Sequence, residues 1–213
     1  MKELVVMSGK GGTGKTSISA SLAFLAPEKV MADCDVDAAN LHLLVGVKEQ
    51  ESHDFFAGFE PTINADKCLH CGKCTELCRF KAIDNGNLIA PFGCEGCGVC
   101  AFNCPEQAIT MRDKRAGRWL VSDTRFGTMV HAELGLSVEN SGKLVGKVRQ
   151  EARKLVEKSR FDLIITDGPP GIGCPAIATV TGADMVLAVV EPSISAMHDF
   201  ERLCGLCRHF RVP

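Results

Sequence analysis

The stretch Ser8-Gly9-Lys10-Gly11-Gly12-Thr13-Gly14-Lys15-Thr16-Ser17 constrains this chain most. It follows a short apolar run, Leu4-Val5-Val6-Met7, and opens a run of small and apolar residues, Ile18 to Ala26. Strand, glycine-rich loop and helix is the context in which G-x-x-x-x-G-K-T, here Gly9 to Thr16, forms a phosphate-binding loop. Glycines let the backbone wrap so that successive N–H groups point inward at phosphate oxygens. The helix N-terminus adds the positive end of its dipole. Lys15 then reaches the β- and γ-phosphates, and the Thr16 hydroxyl can ligate Mg²⁺. The same letters in a flexible loop would lack the flanking strand and helix. A nucleotide site is predicted over Gly9, Lys10, Gly11, Gly12, Thr13, Gly14, Lys15, Thr16 and Ser17.

A second lysine directly after the first glycine gives Lys-Gly-Gly-Thr-Gly-Lys-Thr from Lys10. This resembles the deviant Walker A motif of MinD/ParA-type P-loop ATPases, which include the nitrogenase iron protein and Mrp-type iron–sulfur carriers. The resemblance implies that Lys10 acts in trans, crossing a dimer interface to the partner's nucleotide. It implies ATP or ADP with Mg²⁺ as ligands, and a catalytic role for Lys10 and Lys15. Read from the loop alone, Lys10 is equally a solvated lysine.

Two acidic strand ends belong with this loop. Lys29-Val30-Met31-Ala32 reads as a strand running into Asp33-Cys34-Asp35-Val36-Asp37. Acids at the end of a parallel strand beside a P-loop sit where Mg²⁺ and the attacking water must be. The stretch resembles the family's switch I, which implies that Asp35 positions the water and Asp33 supports the Mg²⁺ shell. Asp37 is expected to cap a helix from Ala38 to Leu44. Phe161 to Asp167 reads as a buried strand ending in an acid. It resembles a Walker B strand, with Asp167 on the Mg²⁺ shell. Gly168-Pro169-Pro170-Gly171 resembles switch II, with Gly168 and Gly171 as its hinge.

Between about Phe55 and Asp113 the helical period disappears and cysteines dominate. Cys68-x₂-Cys71-x₂-Cys74-x₃-Cys78 recurs 26 residues later as Cys94-x₂-Cys97-x₂-Cys100-x₃-Cys104-Pro105. The offset also relates Ile63 to Ile89 and Ala82-Ile83 to Ala108-Ile109. This is an internal duplication, and it resembles the two-cluster bacterial ferredoxins. Three cysteines two residues apart curl around one cubane, and the fourth, too far along the chain, ligates the other cluster. Cys68, Cys71, Cys74 and Cys104 are expected to hold one 4Fe–4S cluster. Cys94, Cys97, Cys100 and Cys78 are expected to hold the second. Zinc ribbons use separate C-x₂-C knuckles, so the spacing excludes them. Arg79 departs from the ferredoxin pattern, which has proline there.

The remainder reads as sheet and covering helices. Strands are expected at Gly117–Val121, Phe126–His131 and Met185–Val190. Leu144, Val145, Val148, Ala152, Leu155 and Val156 line one face of a helix from Ser141 to Ser159, whose mixed-charge outer face suggests no function. Cys174 begins a helix seven positions after Asp167; it reads as a small packing residue. By resemblance to the nitrogenase iron protein it is alternatively a ligand bridging two subunits. Cys204 and Cys207 fall on the helix Ala196–Phe210 without a second cysteine pair. The strand expected after that helix, which holds the adenine in the resembled family, does not follow Pro213, so the chain reads as truncated or short.

The 213 residues accommodate one sizeable α/β core and a small module. A net charge of −2 gives no electrostatic footprint for nucleic acid or an anionic membrane. No signal peptide or membrane span is visible, which points to the cytoplasm and to metal ligation for the twelve cysteines. The expected fold is a doubly wound, mostly parallel P-loop sheet (1–54 and 114–213) with an inserted α+β ferredoxin-like module (55–113). The expected function is an ATPase that couples nucleotide-dependent dimerisation to electron transfer through two 4Fe–4S clusters. The partners would be a second copy or a similar ATPase, and a redox or iron–sulfur protein. The alternatives are an iron–sulfur scaffold or carrier, and a MinD-like positioning ATPase with a redox sensor.

Overall fold

The computed structural model describes residues 1–84, 88–90, 93–135 and 141–213, the side chains of 49 and 50 apart. The first strand, β1 (Lys2–Ser8), leads through the glycine loop into α1 (Lys15–Leu25) and β2 (Lys29–Asp33). A short α2 (Leu41–Val45) precedes the long strand β3 (Val47–Ile63). Two single-turn helices follow, α3 (Lys73–Leu77) and α4 (Val99–Phe102). Strands β4 (Ile109–Thr124) and β5 (Gly127–Leu134) bring the chain to α5 (Ser141–Lys158). Then come β6 (Leu163–Pro170), α6 (Cys174–Val180), β7 (Met185–Ala188) and α7 (Ile194–Phe210).

The strands form one mixed sheet in the order β3-β4-β5-β2-β6-β1-β7. From β5 to β7 every pairing is parallel, while β4 and β5 form an antiparallel hairpin. Alternate residues of β2 bury opposite faces, as period-two strands must. Val30 and Ala32 pack with Leu144, Val145 and Val148 of α5, whereas Met31 packs with Ala23 of α1 and Leu41 of α2. On β1, Val5 and Met7 pack with Ala176 of α6 and Leu203 of α7. Helices thus cover both faces, the arrangement a parallel sheet requires. From β1 the chain crosses β6 to reach β2, and from β6 it crosses β1 to reach β7. The glycine loop lies at the carboxyl end of the strand between these opposed crossovers, where open α/β sheets bind ligands.

Several elements differ from the sequence reading. α2 starts at Leu41, not Ala38, and Asn40 rather than Asp37 stands at its N-cap, without a side-chain hydrogen bond. The reason is Asp33, which accepts from the Leu41 amide at 3.2 Å and satisfies the helix end from the strand. The sequence reading has no strand where β3 begins at Val47, and β4 begins at Ile109, ahead of the expected Gly117. The outer face of α5 is not merely solvated. Arg149 is buried and forms a two-pronged ion pair with buried Glu3, Nε–Oε1 2.7 Å and Nη2–Oε2 2.8 Å. Arg153 and Thr166 complete the shell around that carboxylate, at 2.8 and 3.0 Å. Arg149 also donates to Ala178 and Thr181 carbonyls, closing the C-terminus of α6.

The chain divides into two compact units. One comprises Met1–Phe55, Gly117–Leu134 and Asn140–Pro213; the other comprises Phe56–Ala116 and Gly135–Glu139. Inside the second unit the duplication is geometric as well as sequential. Gly72 and Gly98, 26 residues apart, share the left-handed conformation (φ 75° and 76°) and precede α3 and α4. Lys81 and Gln107 repeat it at φ 51° and 48°. The amides of Ala82 and Ala108 each bond a cysteine sulfur, Cys78 and Cys104, at 3.3 Å. The repeats also exchange backbone bonds reciprocally: Asn64 donates to Ala108 and Ala90 donates to Ala82, both at 2.8 Å.

Candidate functional site

Three strand ends converge at the loop. Asp167 of β6 is in register with Val6 of β1 and with Asp33 of β2. The loop between β1 and α1 turns at Gly12 (φ 82°) and Gly14 (φ 89°), conformations that favour glycine. No atom lies within 4 Å of where a side chain would begin at Gly11, Gly12 or Gly14, so the concave side is open. Gly9 is the opposite case. A Cβ there would stand 2.5 Å from the Asp199 backbone, so the loop is seated tightly on α7. The Thr13 hydroxyl is buried without a hydrogen-bond partner, and Lys15 is 6% exposed. An orphaned hydroxyl and a buried cation beside an open glycine turn fit an incoming phosphate chain.

The acids form the other wall. Burial, and then the charge of Asp167, hold the Asp33 carboxyl well above the usual carboxylate range. Burial also raises Asp35 and Asp167, against the lowering effect of Lys15 on both. Asp167 accepts from the Ser19 hydroxyl at 2.8 Å and from Thr16. Among the described residues no three His, Cys, Asp or Glu side chains close around a single-ion position. Mg²⁺ does not need such a cage, because it keeps several waters and binds through one or two carboxylates plus phosphates. Crowded carboxyls with raised pKa values favour a cation between them. Residues Thr16, Asp33, Asp35 and Asp167 therefore fit the Mg²⁺ site expected from the sequence. Gly168 packs where a Cβ would meet Met7 at 2.8 Å, and Gly171 turns with φ 81° and donates to the Ser8 carbonyl at 2.9 Å.

Two residues of this site carried little sequence signal. Ser19 lies one turn beyond Lys15 on the buried side of α1, the only hint being a hydroxyl among small apolar residues. Glu191, just past β7, bonds the Lys10 ammonium at 2.7 Å and also accepts from Ser193 at 3.0 Å.

The cysteines line two hollows in the second unit. Cys78, Cys94, Cys97 and Cys100 surround one, with Phe80, Val99 and Met111 in its wall. Cys68, Cys71, Cys74 and Cys104 surround another, with Ile63, Leu69 and Ile109. Each hollow draws three sulfurs from one repeat and the fourth from the other. The absence of a single-ion site among the described residues is compatible with this, since a cluster binds each thiolate through a different iron. None of the twelve cysteines is in a disulfide. Cys174, read from sequence as a packing residue, is exposed, because the N-terminus of α6 stands at the sheet's open end. Cys34 is buried, and Cys207 packs against the core under α7. No helix among the described residues is long and apolar enough to cross a membrane.

Known proteins share this architecture. The sequence profile of the CobQ/CobB/MinD/ParA nucleotide binding domain matches residues 4–211. An uncharacterized protein of Methanocaldococcus jannaschii is 38% identical over 213 residues, 99% of this chain and 75% of the relative. The septum site-determining protein MinD of Bacillus subtilis is 26% identical over 208 residues, 95% of this chain and 58% of that protein. A shorter match is to the pyruvate synthase subunit PorD of Methanothermobacter marburgensis, 39% identical over 57 residues, 27% of this chain and 70% of the subunit. The solved MinD of Pyrococcus horikoshii, complexed with Mg-ADP, superposes with a TM-score of 0.52 at 18% identity, covering 99% of this chain and 66% of that one. At that identity the likeness is one of fold. The profile match and the site geometry agree: the chain belongs to the CobQ/CobB/MinD/ParA nucleotide-binding domain family.

Proposed function

We propose that this protein binds and hydrolyses ATP with Mg²⁺, dimerises when it does so, and couples that cycle to electron transfer through two 4Fe–4S clusters. The observation that carries the reading is the division of eight cysteines into two four-sulfur hollows on a chain that also bears an open phosphate loop. Cys68, Cys71, Cys74 and Cys104 would hold one cluster, and Cys94, Cys97, Cys100 and Cys78 the other. Clusters held by four thiolates supply one-electron transfer. The amides of Ala82, Ala108 and Gly96, each aimed at a cysteine sulfur at 3.3–3.4 Å, would stabilise the thiolate charge. The short likeness to a pyruvate synthase subunit supports a redox partner.

In the first unit, Lys15 would hold the β- and γ-phosphate oxygens and Thr16, Asp33 and Asp167 the Mg²⁺ shell. Asp35 would orient water, and Lys10 would reach the nucleotide of a second copy. Chain path supports the coupling: α2, tied to Asp33 through the Leu41 amide, leads directly into β3, which carries the chain from one unit to the other.

The test is iron and acid-labile sulfide per chain on anaerobically purified protein, with spectra and acceptor reduction followed with and without Mg-ATP. About eight irons, and a nucleotide-dependent change in spectrum or reduction rate, are expected. Fewer than four irons would sink the cluster reading. Eight irons indifferent to nucleotide would instead favour a positioning ATPase with a redox sensor, the reading that the MinD relatives support. About ten irons, falling to eight in Cys174→Ser, would favour a cluster carrier built on that exposed thiol.

A further inference from the structure

We propose that His42 and His131 form a metal site, distinct from that of Mg²⁺, which takes an imidazole-preferring transition-metal cation through their Nδ1 atoms and ties α2 to β5. His131 lies on β5 two residues after Met129, so the two side chains share one face of the sheet. Met129 packs there with Leu41 and Val45 of α2. His42 follows Leu41 on α2 and brings its ring beside that of His131, with centres 5.8 Å apart and planes 18° apart.

Each ring keeps a nitrogen without a partner. The Nδ1 atoms of His42 and His131 are buried and make no hydrogen bond, and His131 as a whole is 3% exposed. Buried polar atoms left unpaired are costly, and two of them on neighbouring rings call for a shared occupant. Contact between the ring faces does not explain the pair. In the true stack of this chain, His53 on Trp119, the centres are 4.0 Å apart. Two imidazoles that share one metal, with bonds of about 2.0–2.1 Å, hold their centres about 5–6 Å apart. The Ser122 hydroxyl of β4 meets His131 Nε2 at 2.8 Å. With Nε2 donating that bond, the lone pair stays on Nδ1, which is how ligating histidines are usually held. Imidazole nitrogens suit Zn²⁺, Ni²⁺ and copper, and water fills the remaining positions of a site with two protein ligands. The consequence is mechanical. α2 is already bonded to β2 through the Leu41 amide and Asp33, and the cation would clip it to β5 as well.

Equilibrium dialysis of the full-length, anaerobically purified protein against Ni²⁺ reads the site directly. One Ni²⁺ per chain is expected, bound at least tenfold more weakly in His42→Gln and in His131→Phe. Ser122→Ala is expected to weaken it about 10- to 100-fold, which a merely structural serine would not do. His53→Gln and Cys174→Ser remove other exposed donors and are expected to leave the uptake as it was. Should His131→Phe fail to fold, His42→Gln and Ser122→Ala decide. Absence of uptake, or full affinity in His42→Gln, overturns the site and leaves water as the partner of the two nitrogens.

Discussion

Asp167 illustrates how single atoms set this site. Its carboxylate is buried, opposed by Asp33 in register, and still ionisable because Ser19, Thr16 and Lys15 supply donors and charge. The Ser19 hydroxyl donates to Asp167 and so orients it. Partners that orient a metal-binding carboxylate matter about 10- to 100-fold in metal affinity. Ser19→Ala is therefore expected to raise the Mg²⁺ concentration needed for nucleotide binding within that range. Metal-free nucleotide binding should change little. Lys15→Ala should differ in kind, abolishing hydrolysis by about 10²–10³-fold or more through loss of the fixed cation at the phosphates. A Mg²⁺ titration of nucleotide binding by calorimetry separates them, and a Ser19→Ala curve overlying the unsubstituted one would refute the orienting role.

At the scale of elements, sequence and structure part in an instructive way. The glycine loop, the two acidic strand ends and the repeated cysteines were legible because each is a local pattern with fixed spacing. The α2 cap was misread because Asp33 reaches eight residues along the chain to do what Asp37 was expected to do. The Glu3–Arg149 pair, 146 residues apart, and Lys10–Glu191, 181 apart, left no local trace. Such pairs are made by tertiary proximity alone. The repeats supply a prediction of their own. Gly96 and His70 occupy equivalent positions, both in the left-handed region at φ 64° and 51°. Yet a Cβ at Gly96 would fall 2.1 Å from the Phe59 carbonyl. Gly96→Ala must therefore displace backbone beside Cys94 and Cys97, whereas His70→Ala keeps a side chain where one already fits. Iron per chain is expected to fall toward half in Gly96→Ala and to hold in His70→Ala. Equal iron in both would refute the argument.

The joint between α5, α6 and the sheet has a comparable logic. Burial works to raise the Glu3 carboxyl, but Arg149 and Arg153 lower it overall by hydrogen bonds and charge. A folded pKa below the unfolded 4.5 contributes stability that is fully present above that value and lost as pH falls through the depressed one. Arg149→Ala leaves a buried carboxylate short of its main partner, at a cost of about 3–5 kcal/mol. In Arg149→Ala/Arg153→Ala burial is opposed chiefly by the Thr166 hydroxyl, so the sign is expected to reverse and stability to fall as pH rises above about 4.5. Urea unfolding from pH 4 to 7 reads both the magnitude and the slope. A slope of unchanged sign in the double variant would show that Glu3 is not governed by these arginines.

Across the whole molecule the two units are stabilised by different means. Among the described residues the first has three buried apolar clusters spread over both faces of a parallel sheet, and it is expected to fold without a ligand. The second, about 66 residues, buries few apolar side chains among those described, Ala82, Ile83, Ala108, Ile109 and Ala116. Domains of that size commonly depend on metals or disulfides, and here no cysteine is in a disulfide. Its eight cysteines, six of them partly buried, would instead line empty hollows in an iron-free chain. Ligand binding to the folded form is then folding free energy for that unit. Iron-loaded protein is expected to unfold in two calorimetric transitions. Chelation under reducing conditions should remove one of them and leave the other within a few degrees of its original midpoint. Mg-nucleotide should raise chiefly the surviving transition, because the residues proposed to hold it all belong to the first unit. A single transition that chelation leaves intact would mean that the second unit folds on its apolar contacts, and the division of labour argued here would fall.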